Sequence, residues 1–207
     1  MVASSEPARP VTVFVLSPAR CSGERAAMLV RSRRSELGRQ LHARAATLGD
    51  VFAWLSALYF RGKLTYARRF AAAGELPGTL VMAPGRGLCP ADTPISSDEL
   101  RAMGEVEVES DAFVQPLRRD ARLLGERYGA GARVVLLGSI ATGKYVDPLL
   151  EVFRDRLVFP ESFVGRGDMS RGGLLLRAAR SGEELSYRPI AGAVLHGKRP
   201  PKLPRTR

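Results

Sequence analysis

Apolar positions along the chain fall into two rhythms. Short uninterrupted runs occur at Val11–Ser17 (VTVFVLS), at GTLVMA from Gly78, at RVVLLG from Arg133 and at RLVFP from Arg156. Runs this short, β-branched and bounded by Gly or Pro, read as strands buried on both faces. Between them the period changes. Leu48, Val51, Phe52, Leu55 and Tyr59 repeat at i, i+3, i+4, i+7 and i+11, one apolar face of a helix. The Arg/Ala/Leu-rich stretch from Gly23 to Ala46 also reads as helical, Gly62 reads as a helix break, and Thr65–Ala73 as a further short helix. Ser97 reads as the cap of a short helix DELRAM, Asp111–Tyr128 as a long helix and Asp147 as an N-cap before Pro148. GRGLCPADTPIS reads as a loop, and SYRPIAGAVLHG as an edge hairpin.

Four apolar strands separated by helices predict an α/β fold, a three-layer arrangement with a mainly parallel four-stranded sheet flanked by helices. Its strands are expected near 11–17, 78–83, 133–138 and 156–160. Residues 1–10 read as a flexible arm, 11–195 as one domain and 196–207 as a basic, Pro-rich tail. A chain of 207 residues is long enough for such a core.

In parallel sheets, ligands gather outside the carboxyl ends of the strands. Here four turns, Ser17–Gly23, Gly85–Asp92, Gly138–Tyr145 and Pro160–Asp168, are expected to share one edge and form a pocket. The first leads into a helix whose free amides suit an anion, with Ser17, Pro18, Arg20 and Cys21 as ligand-binding candidates. Gly85 and Arg86 come from the second turn, Ser139, Lys144 and Tyr145 from the third, and Arg166 from the fourth. GSIATGK matches the spacing of a phosphate loop, but Tyr145 stands where a Ser or Thr must reach Mg²⁺, so the segment reads as a turn presenting Ser139, Lys144 and Tyr145. Glu161 and Asp168 are the candidates for general-base or hydrogen-bonding duty. With His42 and His196 the two histidines, neither a Cys–His pair nor a metal site is expected, and no cofactor motif is present. Cys21 and Cys89 read as small half-buried thiols; Trp54, Tyr59 and Tyr66 read as packing.

Charge adds a partner. The chain carries +11, and the segment from Asp98 to Asp111 holds six acids against Arg101, so the remainder carries +16. Seven arginines lie between Arg20 and Arg44, and five basic residues lie in the tail. Such a balance fits nucleic acid, with a nucleobase or nucleotide as the small ligand, and assigns Arg31, Arg33, Arg34, Lys198, Arg199 and Lys202 to phosphate contacts. Apolar runs too short for a membrane span and an N-terminus without an apolar signal core make the cytoplasm the expected location and exclude a membrane partner.

The run from Val134 to Ala179 resembles the closing part of the uracil-DNA-glycosylase-like fold: a strand ending in Gly-Ser, a helix, a strand ending in a Pro loop and a Gly-rich approach to the last helix. VFVLSPARCSGERA is similar in placement to that superfamily's first catalytic turn. Ser17-Pro18-Ala19 stands in place of the catalytic Asp or Asn turn and Phe159-Pro160-Glu161 in place of the His-Pro-Ser loop, so the usual catalytic motifs are lacking. A second resemblance rests on the order of Ser17-Pro18-Ala19, LYFRGKLTYARRFA, GLCPADTPI and MSRGGLLLRAA, as in small uncharacterised bacterial proteins and the bacterial peroxide-stress family whose members bind DNA. Together these imply a nucleic-acid-associated α/β domain with a base- or nucleotide-sized pocket. The alternatives are an enzyme acting on a small nucleoside, nucleotide or sugar phosphate, and an inert binding module.

Overall fold

A computed structural model describes residues 10–140, 143–193 and 200–201, except for the Lys144 side chain. In chain order the elements are β1 (Thr12–Leu16), α1 (Glu24–Arg31), α2 (Glu36–His42), β2 (Ala46–Thr47), α3 (Leu48–Phe70), β3 (Thr79–Ala83), β4 (Gly87–Pro90), β5 (Pro94–Ile95), α4 (Ser97–Gly104), α5 (Asp111–Tyr128), β6 (Arg133–Leu137), α6 (Gly143–Phe153), β7 (Leu157–Pro160), α7 (Asp168–Ser181) and β8 (Tyr187–Pro189). The main sheet is mixed and has six strands in the order β4-β3-β1-β6-β7-β8. Its centre is parallel: β1 pairs with β3 and β6, and β6 with β7. Both edge strands run antiparallel.

The four expected strands are all present, each within two residues of its expected ends. All five residues of β1 are buried, although alternate residues leave a strand on opposite sides. Both faces of the sheet are therefore covered, which is why the sequence shows continuous apolar runs. On one face Phe14 meets Tyr66 of α3 edge-on, with ring centroids 5.7 Å apart. The Tyr66 and Tyr187 hydroxyls lie 2.6 Å apart, and the Leu185 amide donates to the Tyr66 hydroxyl, tying β8 to α3.

Six strands replace the expected four because GRGLCPADTPIS is not a loop throughout. Gly85 and Gly87 adopt φ of 74° and 83°, and this left-handed backbone folds β4 tightly back on β3. Ala83 thereby pairs with Gly87 and Val81 with Cys89. Pro94–Ile95 forms a second small sheet with Ala46–Thr47. The run 23–46 is likewise not one helix: the chain turns at Ser32–Ser35, and the Ser35 hydroxyl accepts from the Gly38 amide to start α2. Ser96, not Ser97, caps α4, its hydroxyl accepting from the Glu99 amide while the Glu99 carboxylate accepts from the Ser96 amide. Asp147 lies inside α6 rather than at its cap, with its carboxylate folded against Gly143 in the first turn.

Gly62 does not break the helix. α3 runs on to Phe70, and its interruption is at Ala57, where φ is 47° and ψ −123°. One glycine costs a helix only about 1 kcal/mol, and here its missing side chain is used: a Cβ at Gly62 would lie 2.6 Å from the Gly172 carbonyl oxygen of α7. The interruption at Ala57 has its own compensation. The Trp54 carbonyl accepts a 2.6 Å bond from Arg25, whose guanidinium also stacks on the Trp54 ring.

Candidate functional site

Leu16 pairs with both Val81 and Leu137, and Val135 with Val158, so the carboxyl ends of β1, β3, β6 and β7 lie at one edge. Ser17, Gly138 and Glu161 follow those ends directly, and Gly85 comes one residue later, after Pro84. Asp92 does not join them: antiparallel β4 carries the chain away, and the Ala91 amide bonds to the Thr79 carbonyl at the opposite edge.

The centre of this edge is Ser17. Its amide donates to the Leu137 carbonyl, the last rung of the ladder, while its own carbonyl has passed beyond the sheet. Lys63 of α3 fills that gap, Nζ donating to the Ser17 carbonyl at 2.7 Å and to Ser17 Oγ at 3.0 Å. Ser17 is 6% exposed and Lys63 only 1%; among the described residues Lys63 is the one charged side chain that is buried. Its ammonium lies over the rings of Tyr59 and Phe60, at 4.7 and 4.6 Å. Desolvation lowers the Lys63 pKa from 10.5 to about 7, with the carboxylate of Asp168 pulling weakly the other way. A Cβ at Gly138 would lie 2.9 Å from Ser17 Oγ, so only glycine lets the two turns close this tightly.

Tyr59, one helical turn before Lys63, is 7% exposed, and its buried hydroxyl faces the Arg171 guanidinium without a hydrogen bond of full geometry among the described residues. Burial pushes this phenol up to about 12, with the Arg171 guanidinium opposing and the Asp168 carboxylate reinforcing the shift. The loop and first turn of α7 thus bring Asp168 and Arg171 towards the same centre. Arg171 itself is anchored on the Phe163 carbonyl and ring. Asp168 is 68% exposed, 3.8 Å from Arg171.

Other candidate residues meet different fates. Arg86 pairs with Glu99, which also binds Arg44, so its charge is spent inside the fold. Arg166 donates to the carbonyls of Ser162 and Pro201 and to the Ser170 hydroxyl, a clamp on its own loop. Glu161 is exposed and faces Arg188 of β8. Pro18 and Ser139 are half-buried beside Ser17 and Gly138, Tyr145 packs near Phe113, and Arg20 is exposed. The Lys144 side chain, Lys198, Arg199 and Lys202 lie outside the described residues. Arg31, Arg33 and Arg34 are all exposed around the α1–α2 turn.

A cavity of about 400 Å³ opens where the β1 turn enters α1. Cys21, Gly23, Ala26 and Val30 meet Leu100 and Gly104 of α4 there, with Arg31, Arg101 and Glu105 at its margin. Of the four turns expected to build a pocket together, only the first contributes to this one. Its thiol is held protonated: Cys21 Sγ donates to the Ala19 carbonyl, and burial raises its pKa to about 12. Cys89, expected in a strand-end loop, lies within β4 and is also raised by burial. At pH 7.5 the Cys21 thiolate fraction is on the order of 10⁻⁴ or less. Iodoacetamide is therefore expected to leave Cys21 unmodified in the folded protein and to alkylate both cysteines in urea, as read by intact mass; rapid native alkylation at Cys21 would refute a thiol held protonated by burial.

Sequence reasoning missed Lys63, while Tyr59, read as packing, is part of the core. The signal was present: after Ala57 the buried positions Tyr59, Phe60, Lys63, Leu64, Tyr66 and Ala67 follow one helix face, and a lysine there must bury its charge. Among the described residues no cluster of His, Cys, Asp and Glu could hold a metal ion, and no helix is long and apolar enough to cross a membrane. Comparison with protein-family models, with curated proteins and with solved structures gives no match to this chain.

Proposed function

We propose that this is a nucleic-acid-associated α/β protein with a base- or nucleotide-sized pocket at the carboxyl edge of its sheet, related in fold to the uracil-DNA-glycosylase-like group but without its catalytic motifs. The observation that carries the reading is the 400 Å³ cavity at the start of α1, with Arg31 on its margin and Arg33 and Arg34 exposed in the turn that follows. A cavity of that size falls within the range of small-ligand sites. Its floor is apolar, which suits the face of a base, and the neighbouring arginines suit phosphates. The charge of +11 favours the same class of partner. An enzyme acting on a free nucleoside, nucleotide or sugar phosphate is the second reading, because the same pocket would serve without a polymer.

Fluorescence anisotropy with single- and double-stranded oligonucleotides between 50 and 200 mM salt tests the proposal. Log affinity is expected to fall by about 0.9 per duplex phosphate neutralised and about 0.7 on a single strand. Replacing Arg31, Arg33 and Arg34 together by Gln should flatten that slope and weaken binding to all sequences alike. No binding at the lower salt, with a thermal shift from a nucleoside monophosphate alone, would favour the small-molecule reading.

A further inference from the structure

We propose that Ser17 and Lys63 form a nucleophile–base pair that transfers the acyl group of a small carboxylic ester to water. It shares with the proposed function only the edge of the sheet, since the turn from Ser17 to Gly23 joins the pair to the cavity; it does not require that the chain bind a polymer.

Three features support it. Ser17 Oγ lies within 3.0 Å of Lys63 Nζ, the reach needed for proton transfer between a hydroxyl and an amine. Lys63 is buried among aromatic rings, and Ser17, itself buried, begins the turn whose later residues Cys21 and Gly23 line the cavity. Beside the pair, the buried Tyr59 hydroxyl faces a donor, the Arg171 guanidinium, so among the described residues its own proton has no acceptor, a costly state that a ligand oxygen would relieve. Desolvation also holds the Lys63 amine at about 7, leaving roughly half of it neutral and able to accept a proton at neutral pH.

In the first step the neutral amine of Lys63 takes the Ser17 hydroxyl proton as Oγ bonds to the ester carbonyl carbon. The carbonyl electron pair moves to oxygen, where the Tyr59 hydroxyl donates a hydrogen bond. Collapse of this adduct breaks the bond to the leaving alkoxide, which receives the proton from the Lys63 ammonium, and leaves the acyl group on Ser17. Water then attacks the acyl carbon while Lys63 takes its proton. The Ser17 oxygen departs, recovers that proton, and the free acid is released. No oxidant, metal or further reactant enters.

The experiment uses the full chain with a fluorophosphonate probe, in which Oγ displaces fluoride from phosphorus, and p-nitrophenyl acetate as the ester. Intact mass and peptide mapping should show a single adduct on Ser17. Its rate of formation should rise with pH about a midpoint near 7. Ser17→Ala should give no adduct and no ester hydrolysis, and folded Lys63→Met should slow both by about 100-fold or more. No adduct between pH 6 and 9, an adduct elsewhere, or an unchanged rate in folded Lys63→Met would overturn the pair. Circular dichroism establishes whether Lys63→Met folds; if it does not, the wild-type profile decides, a rate independent of pH from 6 to 8 being the contrary result. Oligonucleotide binding is read separately, so loss of the adduct with salt-dependent binding intact counts against this pair alone.

Discussion

Urea unfolding at pH 9 is expected to give a stability about 2 kcal/mol higher than at pH 7, and Lys63→Met is expected to lose that gain. The cause is the burial of Lys63, whose pKa falls from 10.5 in the unfolded chain to about 7 in the folded one. Between those values the folded protein has released a proton that the unfolded chain still holds. Stability therefore rises with pH through the window, by at most about 1.4 kcal/mol per unit; it is lost as pH falls from 10.5 towards 7 and is level below that. Above pH 9 the Cys21 thiol acts in the opposite sense, because the unfolded thiol ionises near 9.0 while the buried one waits until about 12. Cys89 acts in the same sense, so the part of the rise between pH 7 and 8, before the unfolded thiols ionise, belongs to the lysine. Met matches the length of the Lys stem and carries no charge to desolvate, so the variant should fold and show a flat profile. An equal rise with pH in the variant would assign the effect to another group.

Gly172→Ala is expected to lower stability by about 2 kcal/mol, shifting the melting midpoint down by about 4–8 °C for a chain of this size. A Cβ there would lie 2.9 Å from both the Leu58 carbonyl oxygen and the Tyr59 Cα, and main-chain atoms cannot rotate aside as a flexible side chain would. The gain in helix propensity from Gly to Ala is about 1 kcal/mol and only partly offsets the collision. The same substitution should disturb the site, because the obstructed backbone belongs to Tyr59 and lies one turn from Lys63. Gly131→Ala, where a Cβ meets nothing within 4 Å, is the matched control and should melt within a degree of the wild type. Full stability in Gly172→Ala would mean that α3 and α7 do not approach as closely as described.

These two residues also mark where the sequence was legible and where it was not. β1, β3, β6 and β7 could be read because strands covered on both faces must be apolar throughout, leaving short runs such as Val134–Leu137 between Gly and Pro. β4 escaped because Gly87, Cys89 and Pro90 have the composition of a turn; its pairing comes from the tight reversal at Gly85–Gly87, a tertiary condition. Gly62 looked like a helix stop because the reason for a glycine there lies in α7, more than 100 residues away. Ending the helix at Gly62 also hid Lys63, which then fell beyond the periodic face instead of on it. Ala57, the true interruption, has no sequence signature, since alanine is the best helix former. Among the candidate residues, Ser17 was legible from its place after β1. Arg86 and Arg166 were misjudged because charge in a loop does not reveal whether Glu99 or a carbonyl already occupies it.

Burial of Lys63 at the carboxyl edge lowers its pKa enough to leave the amine uncharged for much of its time near neutral pH. Selective isotope labelling of lysine, with the Lys63 resonance assigned by its loss in Lys63→Met, allows the ¹³Cε shift of the folded protein to be followed from pH 5 to 11. A single titration with a midpoint at about 7 is expected, well separated from the denatured chain's value near 10.5; a folded-state midpoint above 10 would contradict this burial of the lysine.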